Sequence, residues 1–180
     1  MRQLGIGLIA LAALLAGLSL SARYFAEPLP ASLLSPGGNL VGSQRPDFSL
    51  GSHEGELVTQ EDFSGKTLLV NFWATWCAPC MQELPHAKQL KTMFDKNDVV
   101  FVYLANRSGV IVWEKTIAER DIQGDHYLLT ETQYSNMSKT FEFSGIPHYV
   151  LIDRKGNIVS KDAPRPSSGD VIINSIKELL

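Results

Sequence analysis

Cysteine is scarce in this chain: only Cys77 and Cys80 occur among 180 residues. A small domain stapled by disulfides carries more cysteines, spread along its length, so that class is excluded. A structural zinc site needs four ligands, normally including a second cysteine pair. There is no second pair, and His53, His86, His126 and His148 show no ligand spacing among themselves. Runs of Lys and Arg are also missing. With 16 basic against 19 acidic residues, the net charge is −3, and no basic patch offers itself to nucleic acid. Internal repeats and low-complexity tracts are absent. Apolar residues make up 44% of the chain, which excludes disorder throughout, and the length suits one domain with appendages.

Leu4 to Leu20 is a run of 17 residues without a charge, preceded by Arg2 and followed by no acidic residue before Glu27. As a helix it would span about 25 Å, the lower limit for crossing a bilayer. The positive start keeps the N-terminus in the cytoplasm and sends the rest outward. A cleaved signal peptide is the rival reading, with Ser19 and Ser21 as a weak cleavage signal. Both readings export the remainder. Residues 1–21 are therefore expected to be a membrane anchor or signal peptide, which makes the membrane itself a partner. Residues 22–45 are a linker, because Pro28, Pro30, Pro36, Gly37, Gly38 and Gly42 break any periodic pattern. Residues 46–180 form the domain.

Within the domain the pattern is regular. Residues 67–74 (TLLVNFWA) and 99–105 (VVFVYLA) read as buried strands. Between them, 78 to about 94 reads as a helix whose core face is Leu84, Ala87, Leu90 and Phe94, with a kink expected at Pro85. A second helix is expected over 109–119. Strand, helix, strand implies a right-handed parallel crossover. Residues 148–153 (HYVLID) form a third strand, and 157–160 return as its hairpin partner after the turn at Arg154, Lys155 and Gly156. Ser167 is placed to cap a last helix, with Asp170 near its start and Ile172, Ile176 and Leu179 on its core face. The domain is thus α/β, a mixed sheet with helices on both faces.

The chemistry belongs to Trp76-Cys77-Ala78-Pro79-Cys80, which leaves a buried strand and opens a helix. Free N–H groups at a helix start favour a thiolate, and the thiolate is the attacking species in disulfide exchange. Cys77, at the helix end and toward solvent, is the expected nucleophile. Cys80, one turn inside, resolves the mixed disulfide. Pro79 suits an early helical position, where a missing N–H costs nothing. A bridge across two intervening residues removes little chain entropy, so the pair suits reactivity better than stapling. Trp73 and Trp76 read as packing residues, Trp76 also offering an apolar contact beside the nucleophile.

PDFSL at 46–50, NFWATWCAPC at 71–80, GIPHYVLID at 145–153 and KGNIV at 155–159, in this order, resemble the TlpA/ResA-like branch of the thioredoxin superfamily. The resemblance runs from about Gly42 to Leu180. KDAPRPSS at 161–168 resembles a subset found in Bacteroidetes-type bacteria. The family implies a thioredoxin-like fold with a central mixed sheet, and a cis peptide bond before Pro147 in a loop facing the cysteines. There the backbone at Ile146 and His148 would pair with an extended substrate segment. Thioredoxin's buried Asp, six residues before the first cysteine, is here Asn71, which cannot ionise. The family carries a functional Glu at the position of Glu83, on the helical face of Cys80, where a buried carboxylate takes or gives the Cys80 proton. The plain alternative is a solvated Glu stabilised by the helix dipole. His148 replaces the common Thr after the proline. It is either a strand-start histidine or an imidazole that tunes the thiols.

The resemblance implies an exported thiol–disulfide oxidoreductase that reduces disulfides of extracytoplasmic proteins, in cytochrome c maturation or a similar process. Its partners would be an exported thiol protein and a membrane reductant that recharges it. No cofactor is expected beyond the Cys77–Cys80 disulfide. The location expected is the periplasm, tethered at the inner membrane or free there after cleavage. Two alternatives remain. A peroxiredoxin-like peroxidase shares the PDF entry and fold, and Thr75 stands two before Cys77, but the upstream Pro is missing. A copper-binding chaperone would use Cys77, Cys80 and His148, because copper(I) prefers thiolates.

Overall fold

The computed structural model describes residues 49–51 and 57–180. The expected anchor 1–21 and linker 22–45 lie outside the described residues, as does the start of the domain. Among the described residues, no helix is long and apolar enough to cross a membrane.

A five-stranded sheet carries the fold. Its centre is β3 (Thr67–Trp73) and β4 (Val99–Ala105), parallel neighbours that are buried at every position. Central strands covered on both faces demand such continuous apolar runs. Between them α1 (Ala78–Lys91) makes the crossover. Beyond β4 and parallel to it lies β5 (Asp125–Leu128), reached through α2 (Val110–Arg120). On the other side β6 (His148–Ile152) runs antiparallel to β3, and β7 (Ile158–Ser160) closes the edge. A short hairpin of β1 (Ser49–Gly51) and β2 (Leu57–Thr59) forms a separate two-stranded sheet that packs beside β5. Helix α3 (Glu131–Thr140) precedes β6, and α4 (Asp170–Lys177) ends the chain.

Strand alternation divides the core in two. One face gathers Leu69, Trp73, Tyr103 and Tyr149 with Leu84 and Leu90 of α1, Trp113 of α2, Ile172 and Ile176 of α4, and both cysteines. The other gathers Phe72, Val102 and Val150 with Met137 and Phe141 of the α3 region. Ile172 and Ile176 are fully buried; each contributes about 1.5–3 kcal/mol by leaving water. These two residues fix α4, and the turn before it, over the cysteine face.

The expected elements are present with shifted ends. Helix α1 runs through Pro85 and stops at Lys91, short of Phe94, because Thr92 Oγ1 donates to the Gln89 carbonyl (2.7 Å) and closes the last turn. The turn after β6 is held by Asp153, whose carboxylate accepts the backbone N–H groups of Lys155 (2.9 Å) and Asn157 (2.8 Å). Ser167 does not cap α4. Gly169 holds the N-cap position, and Ser167 belongs to a 3-10 turn, Pro166–Ser168, that packs on α1. Its polar groups are engaged elsewhere. The hairpin, β5 and α3 were not expected from the sequence pattern.

Candidate active site

The β3 strand ends at Trp73, and four residues later the chain enters α1 with Cys77 as its N-cap. Here the cap is sulfur: Cys77 Sγ accepts the N–H of Cys80 at 3.2 Å. The Cys77 carbonyl takes the first helical hydrogen bond, from Met81 N–H at 3.1 Å. This geometry puts the positive end of α1 on the Cys77 sulfur. Cys77 and Cys80 form a disulfide with S–S 2.01 Å and Cα–Cα 5.2 Å. Ala78 and Pro79, between them, are exposed.

One expectation is corrected. Cys77 is 3% exposed against 1% for Cys80, so the outer sulfur is not open to solvent. The chain folds over it. The peptide bond from Ile146 to Pro147 is cis, and the Ile146 carbonyl oxygen lies 3.7 Å from Cys77 Sγ. In the disulfide that sulfur has no proton, so this is a close approach; a thiol at the same place would donate. Ile146 is half-buried against the cysteine cluster and Pro147 is buried. The ordering of the two sulfurs and their place at a helix start remain as expected.

A second loop fixes the first from the side. Asn106 N–H donates to the Trp73 carbonyl (3.1 Å), and Thr75 N–H donates to Ser108 Oγ (3.1 Å). Thr75 Oγ1 also meets Ser108 Oγ, at 3.2 Å. Trp76 is 59% exposed, yet its indole N–H donates to the Arg107 carbonyl at 3.0 Å. Arg107 adopts φ +45 and pairs with Glu131. A left-handed non-glycine costs roughly 1 kcal/mol, and here that conformation accompanies a fixed Trp76 beside Cys77. Ser108 and Arg107 were missed in the sequence because a loop hydroxyl and a backbone carbonyl leave no pattern.

Glu83 sits on α1 three residues after Cys80 and is 6% exposed, so the solvated-glutamate alternative does not hold. Its carboxylate accepts from Ser167 twice, from the backbone N–H at 3.0 Å and from Oγ–H at 2.7 Å. Tyr149 of β6 faces the same side. Burial, then the charge of Glu83, pushes the Tyr149 hydroxyl well above its ordinary range. Asn71 lies between Tyr149 and Tyr103 in strand register, so all three side chains share the cysteine face.

His148 is placed elsewhere. It pairs in register with Phe72, which puts its side chain on the opposite face of the sheet from the sulfurs. There its ring stacks on Phe143 at 4.3 Å. Burial pushes the imidazole below its ordinary value of 6.5, against smaller opposing effects of the Lys161 backbone and Asp162. The structure therefore does not bring His148 together with Cys77 and Cys80. Among the described residues, no three or more His, Cys, Asp or Glu gather into a metal-holding group.

A cysteine pair bridged at the start of a helix, faced by a cis-proline loop on a mixed five-stranded sheet, defines a thioredoxin-like thiol–disulfide oxidoreductase. Comparison with known proteins agrees. The model of the Redoxin family matches residues 40–175, and the chain belongs to that family, in its TlpA/ResA-like branch. The thiol-disulfide oxidoreductase ResA of Geobacillus thermodenitrificans is 30% identical over 151 residues, 84% of this chain and 79% of that protein. ResA of Bacillus thuringiensis is 26% identical over 121 residues, 67% of this chain and 68% of that one. The thioredoxin domain of a thiol-disulfide oxidoreductase from Bacteroides vulgatus superposes with a TM-score of 0.68 at 26% identity, covering 78% of this chain and 98% of that chain. The protein is a thiol–disulfide oxidoreductase.

Proposed function

We propose that the chain is a reductase of disulfides in exported proteins, with Cys77 as nucleophile and Cys80 as resolving thiol. The observation that carries this reading is the Cys77–Cys80 disulfide at the start of α1, under the Ile146 carbonyl. In the reduced protein the Cys77 thiolate attacks one sulfur of a partner's disulfide. A mixed disulfide forms and the partner's other sulfur leaves as a thiolate. Cys80 then gives its proton to the Glu83 carboxylate and attacks Cys77 Sγ. The Cys77–Cys80 bond forms, the partner's second sulfur leaves, and two electrons have passed to the partner.

The rest of the site serves docking. The backbone at Ile146 and Pro147 offers an extended segment its pairing edge, while exposed Trp76, Ala78 and Pro79 supply contact surface. His148 contributes through its backbone, its ring being on the far face. Cys77 is little exposed, which supports an approach in which the partner lies along this loop. No cofactor beyond the disulfide is needed. Each turnover leaves the protein oxidised, so a membrane reductant must recharge it. The uncharged run at Leu4–Leu20 would tether the domain in the periplasm, within reach of that donor. Cysteines of apocytochrome c or of copper sites are the substrate class that the resemblance suggests.

Insulin reduction by the purified domain tests the assignment. Cys77→Ala should abolish turnover and Cys80→Ala should limit it to a single event. Undiminished turnover in Cys77→Ala overturns the reading.

A further inference from the structure

We propose that Ser167 is a positioning residue of the reaction, holding the Glu83 carboxyl group on the Cys80 face of α1 in both its charged and its protonated form. The inference rests on the proton-accepting role proposed for Glu83. Its observation is separate: Ser167 meets both carboxylate oxygens, its backbone N–H at Oε2 (3.0 Å) and its hydroxyl at Oε1 (2.7 Å). The two residues are 84 positions apart in sequence, so the contact is a product of the fold.

The two donors are not equivalent. The backbone N–H can only donate, which suits the ionised carboxylate. The hydroxyl has one donor and two acceptor positions. When Cys80 passes its proton to Glu83, the Ser167 hydroxyl turns and accepts from the new carboxylic acid at Oε1. Neither protonation state then leaves a buried oxygen without a partner, and such an orphan is costly. Glu83 is 6% exposed while Ser167 stands at the surface. The hydroxyl thus stands between the buried carboxyl group and the surface.

The turn that presents Ser167 is itself fixed. Ser168 N–H and Oγ–H both donate to the Arg165 carbonyl, at 2.9 and 2.6 Å. Pro166 is buried, and the following α4 is anchored by fully buried Ile172 and Ile176. Among ionisable groups, Glu83 acts on Tyr149 of β6: burial first, then the charge of Glu83 and Tyr103, raise the Tyr149 hydroxyl, while Arg165 of the turn opposes them. Tyr149 stays a neutral phenol across the working range and does not compete for the proton.

The test is the rate at which the reduced protein reduces oxidised glutathione between about pH 5 and 9, for wild type, Glu83→Gln, Ser167→Ala, Ser167→Thr and the double variant. Ser167→Ala keeps the backbone bond and removes only the hydroxyl, so the carboxyl group loses one partner in either protonation form. Its rate should fall about threefold, the loss expected of one hydrogen bond that holds the proton acceptor in place. Ser167→Thr should restore the wild-type profile, and Ser167→Ala should add nothing in the Glu83→Gln background. If Glu83→Gln alters the profile while Ser167→Ala superimposes on wild type, the Ser167 role is overturned and the Glu83 role stands. An unchanged profile in Glu83→Gln overturns both. An equal Ser167→Ala effect with and without Glu83 also overturns the positioning role.

Discussion

Reducing the Cys77–Cys80 bond should destabilise the folded domain slightly, and the sign of that change bears on the direction of catalysis. The two cysteines are three positions apart, so the bridge closes a very short loop in the unfolded chain. The chain-entropy relation gives about 2 kcal/mol for such a loop, against about 4.7 for a loop of 100 residues. Working against it, the reduced protein gains from a Cys77 thiolate at the α1 N-terminus, where Cys80 N–H points at the sulfur from 3.2 Å. Charge at a helix end contributes about 1 kcal/mol. The oxidised form should therefore remain more stable by about 1 kcal/mol, which makes the folded pair more reducing than the unfolded one by roughly 20 mV. Urea unfolding followed by tryptophan fluorescence, with and without a phosphine reductant, reads this directly. At a typical slope of about 2 kcal/mol per molar, the midpoint should fall by about 0.5 M on reduction. A reduced form more stable than the oxidised by 1 kcal/mol or more would mark an oxidant and refute the reasoning.

The pH dependence of stability should carry a His148 component. Burial lowers the folded imidazole below 6.5, so the unfolded chain binds the proton more readily. That part of the stability is fully present above about pH 6.5 and is lost as pH falls toward the folded value. His148→Phe, which keeps a ring on Phe143, should flatten the decline between about pH 7 and 5 in urea midpoints; identical slopes contradict the assignment. Gly124→Ala should cost on the order of 2 kcal/mol, several degrees of melting temperature. Its φ is +150, and a Cβ there would lie 2.5 Å from the Phe101 carbonyl oxygen and 2.7 Å from Cε2 of Tyr103. An unchanged melting temperature would contradict the close packing of β5 beside β4.

The parts of the fold that could be read in the sequence are those where burial alone decides. The β3 and β4 runs are apolar at nearly every position because helices cover both faces, and α1 and α4 show their core faces at helical spacing. Helix α3 hid because ETQYSNMSKT buries only Met137. Its signal was local instead: Thr130 and Gln133 form a reciprocal capping box, with Thr130 N–H on Gln133 Oε1 at 2.8 Å and Gln133 N–H on Thr130 Oγ1 at 3.2 Å. Strand β5 is only four residues long at the sheet edge, too short for a period to show.

At the site, the cysteines, Glu83 and the cis proline were legible as residues but not as an assembly. Serine before an acidic residue reads as a helix cap, and only the packing of the 166–168 turn on α1 turns Ser167 toward Glu83. Likewise, strand alternation sends the His148 side chain away from the sulfurs, although the Ile146 carbonyl two residues earlier lies against Cys77. The exposure of Cys77 depended on a loop 69 residues away.

The central claim, that Cys77 makes the covalent bond to substrate and Cys80 breaks it, is tested by trapping. Full-length Cys80→Ala, expressed in cells and quenched with acid and an alkylating agent, should carry an exported protein in a reducible adduct, which peptide mass spectrometry places on Cys77. The same adduct should be absent from Cys77→Ala. An adduct that survives loss of Cys77, or a Cys80→Ala protein whose Cys77 is recovered only as free alkylated thiol, would contradict the account.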